Sequence, residues 1–165
     1  RMPKPIFKKN ELNKIIKDSI NLMKTNDKDI VINFNTEEVH YVNSDTEQLN
    51  RVFINLLKNS IESLKEKHQK TGDFKKKIDV EIQLINDYIS IVVQDNGTGF
   101  TNNDLRTLSK PYFTTKKEGS GLGLSIVEKI LNDHNGFIEF ISQKEGAKIK
   151  ILLPKYVNWN FNNWR

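Results

Sequence analysis

The 165-residue sequence has no cysteine, which excludes disulfides, thiolate metal sites and thiol catalysis. Its three histidines, His40, His68 and His134, are too scattered for ligand spacing, so a histidine-based zinc site is not expected. No run of 18 or more apolar residues occurs, and no membrane span is expected within this chain. The opening residues carry no signal-peptide pattern. The phosphate-binding motif G-x-x-x-x-G-K-[ST] is missing. The one strand–glycine–helix unit lies late, where a Rossmann domain would place it first. Proline is sparse, with four in all, and Pro3 and Pro5 fall in the first five residues. Residues 1–9 should therefore be extended, a linker from an upstream domain that lies outside this chain. Alanine is scarce and no internal repeat is visible.

The length suits one domain with a core of its own. The net charge of +5 admits nucleic acid, an acidic membrane surface or a phosphate ligand as partner. The lysines are spread out apart from residues 75–77 and 116–117, and no nucleic-acid-binding motif accompanies them. Nucleic acid is therefore not an expected partner.

Glycine is concentrated. Five of the eight glycines fall in residues 95–123, as Gly97, Gly99, Gly119, Gly121 and Gly123. Glycine is costly to order, so either the backbone turns here where a Cβ would clash or something approaches it closely. Residues 88–95 alternate like a strand and end in Asp95. Residues 122–133 carry Leu122, Ile126, Val127, Ile130 and Leu131 at helical period. A glycine loop feeding a helix N-terminus suits an anion, since free N–H groups and the helix dipole both favour negative charge. Two readings stay open on these residues alone. One is a pair of glycine-rich turns in an ordinary α/β protein. The other is a nucleotide site, with the base near Asp95 and the phosphates near residues 119–123.

The remaining elements are legible from period and punctuation. Residues 10–24 form an amphipathic helix. Residues 29–34 and 38–42 form two short strands around a turn at Asn35 and Thr36. Asp45 caps a helix reaching about residue 67, with a broad apolar stripe through Leu49, Val52, Phe53, Leu56, Leu57, Ile61 and Leu64. Residues 78–85 and 88–94 pair through a tight turn at Asn86 and Asp87. Residues 101–109 form a short helix ended at Pro111, and residues 137–142 and 147–153 make a last hairpin. The order predicts a mostly antiparallel sheet with helices packed on one face, a two-layer α/β sandwich. The domain proper is expected over residues 10–154, with a tail at 155–165 whose Trp159, Phe161 and Trp164 dock on it.

Asn55 and Asn59 lie one turn apart beside the apolar stripe of the capped helix, with their amides about 6 Å apart. Asparagine prefers caps and turns to helix interiors. The pair is either a solvated face in an asparagine-rich chain or part of a metal–phosphate site. In the second case Asn59 would offer an amide oxygen to Mg²⁺, which takes few protein ligands when phosphate oxygens are present.

Together these stretches resemble a known family. Residues 55–59, NLLKN, resemble the N box of the GHKL ATPases. Residues 95–99, DNGTG, resemble their G1 box, residues 111–116, PYFTTK, the F box, and residues 119–127, GSGLGLSIV, the G2 box. Gly146 and Ala147 sit where the last Gly-Thr/Ala element falls. The G2 wording is similar to the catalytic, ATP-binding domain of bacterial sensor histidine kinases. The F box and the opening Met2-Pro3-Lys4-Pro5 are similar to nitrogen-regulation sensors of the NtrY type. The resemblance implies a Bergerat fold with a mobile lid over about residues 100–121. It also implies that Asp95 holds the adenine amino group with Gly99, and that Gly97 belongs to the same base pocket. Asn59 would bind Mg²⁺ with Asn55 beside it, and Gly119, Gly121, Leu122 and Gly123 would close over the phosphates. Lys116, with Lys117 next to it, would pair with phosphate oxygens, so that Asn55 and Lys116 carry the catalytic roles. Two positions depart from relatives: Glu62 stands where many carry a basic residue, and Thr114 where other kinases carry an F-box Arg.

The activity this implies is transfer of the γ-phosphoryl of ATP to a histidine on a separate dimerising helical domain, then onward to a response regulator. None of the three histidines precedes an acidic residue, as an acceptor usually does, so the acceptor is expected upstream of this chain. The implied location is a cytoplasmic domain of a kinase anchored in the bacterial inner membrane. Two relatives by fold compete with this reading: a stand-alone serine kinase of the anti-sigma type, and an ATPase of the gyrase or chaperone kind. The ATPases usually carry a Glu base near the N box, where this chain has Asn55.

Overall fold

The computed structural model describes residues 2–24, 27–100, 123–141 and 143–158. Its elements in order are β1 (Lys8–Glu11), α1 (Leu12–Met23), β2 (Val31–Phe34), β3 (Tyr41–Ser44), α2 (Thr46–Thr71), β4 (Lys77–Ile85), β5 (Tyr88–Asp95), α3 (Gly123–Asp133), β6 (Phe137–Ile141) and β7 (Lys148–Pro154). Five strands form one sheet in the order β2-β4-β5-β7-β6. Only β2 and β4 run parallel; the other neighbours are antiparallel. The three described helices pack on one face of it, giving the expected two-layer sandwich.

The alternation of the strands decides which face is covered. Ile78 and Val80 on β4, Ile89, Ile91 and Val93 on β5, and Ile149, Ile151 and Leu153 on β7 are buried. They meet Leu49, Val52, Phe53, Leu56, Leu57 and Leu64 of α2, Ile15 and Ile16 of α1, and Val127, Ile130 and Leu131 of α3 in one core. Burying each such side chain contributes about 1.5–3 kcal/mol.

Helix α2 is the spine. Asp45 at its N-cap accepts from the Gln48 N–H (3.1 Å), Glu47 stands in the first turn, and Gly72 (φ 85) closes the C-terminus with its N–H on the His68 carbonyl. Acidic residues at the start and basic ones at the end suit the helix dipole. Twenty-six residues make a rod about 39 Å long, which carries its central residues rigidly across the sheet.

The first pair of strands departs from the sequence expectation. β2 and β3 do not form a hairpin: β2 joins the edge of the main sheet beside β4, and β3 pairs with β1 in a separate two-stranded sheet. The six-residue connection between them (35–40) is held by a side chain instead. Asn13, buried on α1, donates to Thr36 Oγ1 (3.2 Å) and the Glu38 carbonyl (2.8 Å) and accepts from the His40 N–H (2.8 Å). A loop so pinned leaves the strands free to find different partners.

Residues 2–11 are extended, as their prolines imply, and packed on the domain. The Ile6 N–H donates to Asp45 Oδ2 (2.8 Å), Gln48 Nε2 donates to the Pro3 carbonyl (3.1 Å), and Phe7 meets the His134 ring edge-on at 5.0 Å. At the other end, Lys155 and Tyr156 donate their N–H groups to the Asp87 and Tyr41 carbonyls. Trp159, Phe161 and Trp164 lie outside the described residues, as does the helix expected over 101–109.

His134 locks these parts together. Its ring is buried, Nδ1 lies 2.7 Å from the Ile130 carbonyl, and Nε2 accepts the Asp45 N–H at 3.1 Å. Both contacts are satisfied by the neutral tautomer protonated at Nδ1. Burial pulls its pKa below the ordinary 6.5, only partly opposed by the Ile130 carbonyl and by Asp45 and Asp133. Burial pushes Asp45 up, yet the N–H groups of Ile6, Gln48 and Glu47, with His134, outweigh it and hold that carboxyl below its usual value. With the folded pKa of His134 depressed, the unfolded chain binds more protons in mild acid, so stability is full above about pH 6.5 and falls below it. Urea denaturation between about pH 8 and pH 5.5 should show this loss, and His134→Gln should flatten it.

Candidate functional site

The central strand β5 ends at Asp95, whose N–H donates to the Ala147 carbonyl (2.9 Å) and so continues the ladder with β7 by one more step. The Asp95 side chain is buried at 4 % exposure. A buried carboxylate is costly unless it is hydrogen-bonded. Here Oδ1 accepts from the Gly97 N–H (2.9 Å) and the Ala147 N–H (3.2 Å). One donor comes from the loop after β5, the other from the turn before β7.

Three glycines make this possible. A Cβ on Gly97 would collide with Ser63 Oγ and lie 2.8 Å from the Ser63 backbone. Gly99 and Gly146 both have φ +74, and each faces backbone: a Cβ on Gly99 would meet the Gly146 carbonyl oxygen at 2.6 Å, and one on Gly146 would collide with that of Asp95. At Gly97 and Gly99 the close approach is thus the protein's own: loop 95–99 is squeezed between α2 and the β6–β7 turn.

Side chains fix the loop in place. Asn96 donates to the Lys75 carbonyl (2.7 Å) and accepts from the Lys77 N–H (3.0 Å), tying the loop to the start of β4. Ser63 Oγ takes the Thr98 N–H (2.9 Å) and lies 3.0 Å from Thr98 Oγ1. Lys67 Nζ donates to the Asn96 carbonyl and to Glu145 Oε1, both at 2.8 Å. The Lys67 ammonium, through its hydrogen bond first and its charge second, holds the Glu145 carboxyl below its ordinary range. Phe100 closes the segment against Phe140, edge-on at 5.8 Å.

Helices α2 and α3 meet on the side where the family resemblance puts the phosphates. Asn55 and Asn59 are half-buried one turn apart on α2. A Cβ on Gly123, the first residue of α3, would lie 3.8 Å from Asn55 Oδ1. The structure therefore brings the N box to the start of the helix whose free N–H groups suit an anion. Lys116, Lys117, Gly119, Gly121 and Leu122 lie outside the described residues, with most of the lid expected over 100–121. Among the described residues no cluster of three or more His, Cys, Asp or Glu could hold a metal.

No functional role is read from the sequence for the side chains of Ser63, Lys67, Asn96 or Glu145. A signal was present: Asn55, Asn59, Ser63 and Lys67 recur every fourth residue of α2, placing one polar stripe along the side that meets the loop. Replacing Gly146 with alanine puts a Cβ against the Asp95 carbonyl at a backbone angle that L-residues resist. Gly146→Ala should cost more than about 2 kcal/mol in denaturant unfolding, whereas Gly72→Ala, with open space around it, should cost less.

Comparison with known proteins follows the same lines. The histidine kinase-, DNA gyrase B-, and HSP90-like ATPase family matches residues 44–157. An NtrY-like protein of Rickettsia conorii is 36 % identical over 154 residues, covering 92 % of this chain and 24 % of that protein. Sporulation kinase C of Bacillus subtilis is 34 % identical over 153 residues, covering 90 % of this chain and 34 % of that protein. The chain thus spans a quarter to a third of these relatives. The nucleotide-free catalytic domain of histidine kinase ThkA superimposes with a TM-score of 0.78 at 28 % identity, covering 91 % of this chain and 96 % of that one; ThkA is also known in complex with the response regulator protein TrrA. With its strand-end carboxylate, its glycine-enforced loop and a match over most of its length, the chain belongs to the histidine kinase-, DNA gyrase B-, and HSP90-like ATPase family.

Proposed function

We propose that this domain binds ATP and serves as the catalytic part of a two-component sensor histidine kinase. The γ-phosphoryl would pass to a histidine on a separate helical dimerisation domain and from there to a response regulator. The observation that carries this reading is Asp95. A carboxylate is acceptor-only; with Oδ1 oriented by Gly97 and Ala147, it is set to receive the exocyclic amino group of adenine. Gly99 belongs to the same pocket.

The triphosphate would run from there toward Asn55 and the N-terminus of α3, to be covered by Lys116, Gly119, Gly121, Leu122 and Gly123. A Mg²⁺ ion bound with the nucleotide would neutralise phosphate charge. Asn59 fits it, because a half-buried amide oxygen is a hard, neutral ligand that leaves the remaining positions to phosphate oxygens and water. The residues of this chain then align the phosphates and neutralise their charge, which is most of what phosphoryl transfer requires.

Several observations favour the kinase over the hydrolase reading. The relatives carry kinase names, and the N-box position of the usual ATPase base is an amide, Asn55. His40 and His134 are buried, and no histidine of the chain is followed by an acid, so the acceptor would belong to another part of the kinase. Subfamily membership near NtrY, a role in nitrogen regulation, a cytoplasmic position and an inner-membrane anchor elsewhere in the protein complete the reading. No described helix is long and apolar enough to cross a membrane.

Calorimetric titration tests the core of it. Asp95→Asn should weaken ATP binding by more than about tenfold, roughly one lost charge-assisted hydrogen bond, with the fold intact by circular dichroism. Unchanged affinity would remove Asp95 from base recognition. Adding Mg²⁺ should tighten ATP binding to the natural sequence, and Asn59→Ala should abolish that increment.

A further inference from the structure

Among the described residues, two donors from two different segments reach the Asp95 carboxylate. Gly97 follows Asn96, and Ala147 follows Glu145 and Gly146. One side chain touches both segments: Lys67 of α2 donates to the Asn96 carbonyl and to Glu145 Oε1, each at 2.8 Å. Its ammonium also stands 4.6 Å from the centre of the Phe74 ring, and the side chain is only 20 % exposed. An ammonium has three donors and no acceptor. This one spends two of them spanning the gap across which the Asp95 carboxylate is held, with an aromatic face alongside.

The Glu145 arm taken alone is slight. That carboxylate is 66 % exposed, and exposed ion pairs contribute little. The Asn96 arm differs, since it fixes a backbone carbonyl next to the residue that orients Asp95. Folding of the loop does not hang on it, because Asn96 is also tied to β4 through its side chain and Thr98 to Ser63. What Lys67 adds is the distance between the two segments.

We propose that Lys67 is a positioning residue for base recognition: by tying Asn96 to Glu145 it sets the spacing of the Gly97 and Ala147 N–H groups, and so the aim of the Asp95 carboxylate at the adenine amino group. The proposal rests on Asp95 being the base acceptor. It predicts an effect on base selectivity that a purely structural cross-link would not have. Hypoxanthine carries a carbonyl where adenine carries the amino group, so that substituent can only accept and cannot make the bond to Asp95 that the amino group would. Inosine triphosphate therefore reads the phosphate and sugar contacts without that bond.

The experiment is titration of the full chain with ATP and with inosine triphosphate, for the natural sequence, Lys67→Met and Lys67→Arg. Lys67→Met keeps an unbranched side chain of similar length and removes the ammonium that stands over Phe74. It should weaken ATP roughly fivefold, part of one charge-assisted hydrogen bond, while leaving inosine triphosphate nearly unchanged, so that the selectivity ratio narrows. Lys67→Arg, which keeps a donor and a charge, should retain most of the ratio. Equal weakening of both nucleotides, or no change in either, would overturn the positioning role. Should Lys67→Met fail to fold, Lys67→Gln reads the same ratio. If the natural sequence itself shows no preference for ATP, the fault lies in the reading of Asp95, and that outcome is separable from a failure at Lys67.

Discussion

A carboxylate shut away from water at the end of the central strand sets the terms for its surroundings. Its desolvation must be offset by donors, and two of these are backbone N–H groups on loops that do not adjoin in sequence. Bringing Gly97 and Ala147 onto one oxygen forces the chain so close to itself that a methyl group at residue 97, 99 or 146 would strike protein atoms. The glycines that suggest a ligand thus first serve the carboxylate's own hydrogen bonds. In the proposed site a ligand would then meet an acceptor already oriented by these two N–H groups.

Helix α2 supplies the fixed reference. It is capped at both ends, it carries the largest share of the core stripe, and its Asn55, Ser63 and Lys67 side chains reach the start of α3 or the loop after β5. The same rod therefore holds the proposed metal ligand, the serine that receives the Thr98 N–H, and the lysine that bridges Asn96 and Glu145. Parts of the site built on one rigid helix keep their spacing better than parts carried on separate loops.

Helix α3 joins the two ends of the domain. Its first residue lies beside Asn55, and His134, just past its last turn, accepts from the residue that caps α2. The two helices thus run antiparallel over about three turns. Asp45, through its hydrogen bond from the Ile6 N–H, and His134, through its edge-on contact with the Phe7 ring, also hold residues 6 and 7, so the N-terminal segment rests where α2 and α3 meet.

Local chemistry in the sequence determined much of this. The Asp45 cap, the stripe of α2, the Asn86 turn and the alternation of β4, β5 and β7 need only neighbours within a few residues, and each stands within a few residues of where period and punctuation put it. The N and G1 boxes came from a family resemblance, and of them the structure describes residues 55–59 on α2 and 95–99 after β5. What the sequence could not supply was pairing at a distance. β2 and β3 read as a hairpin because both are short strands near a turn, but Asn13 pins the loop between them, and burial of Ile32 is met by β4 instead. Likewise Lys67 reads as one more solvated lysine on a charged helix. Only the tertiary structure, by carrying Glu145 across from a hairpin 78 residues away, gives its ammonium two acceptors at once.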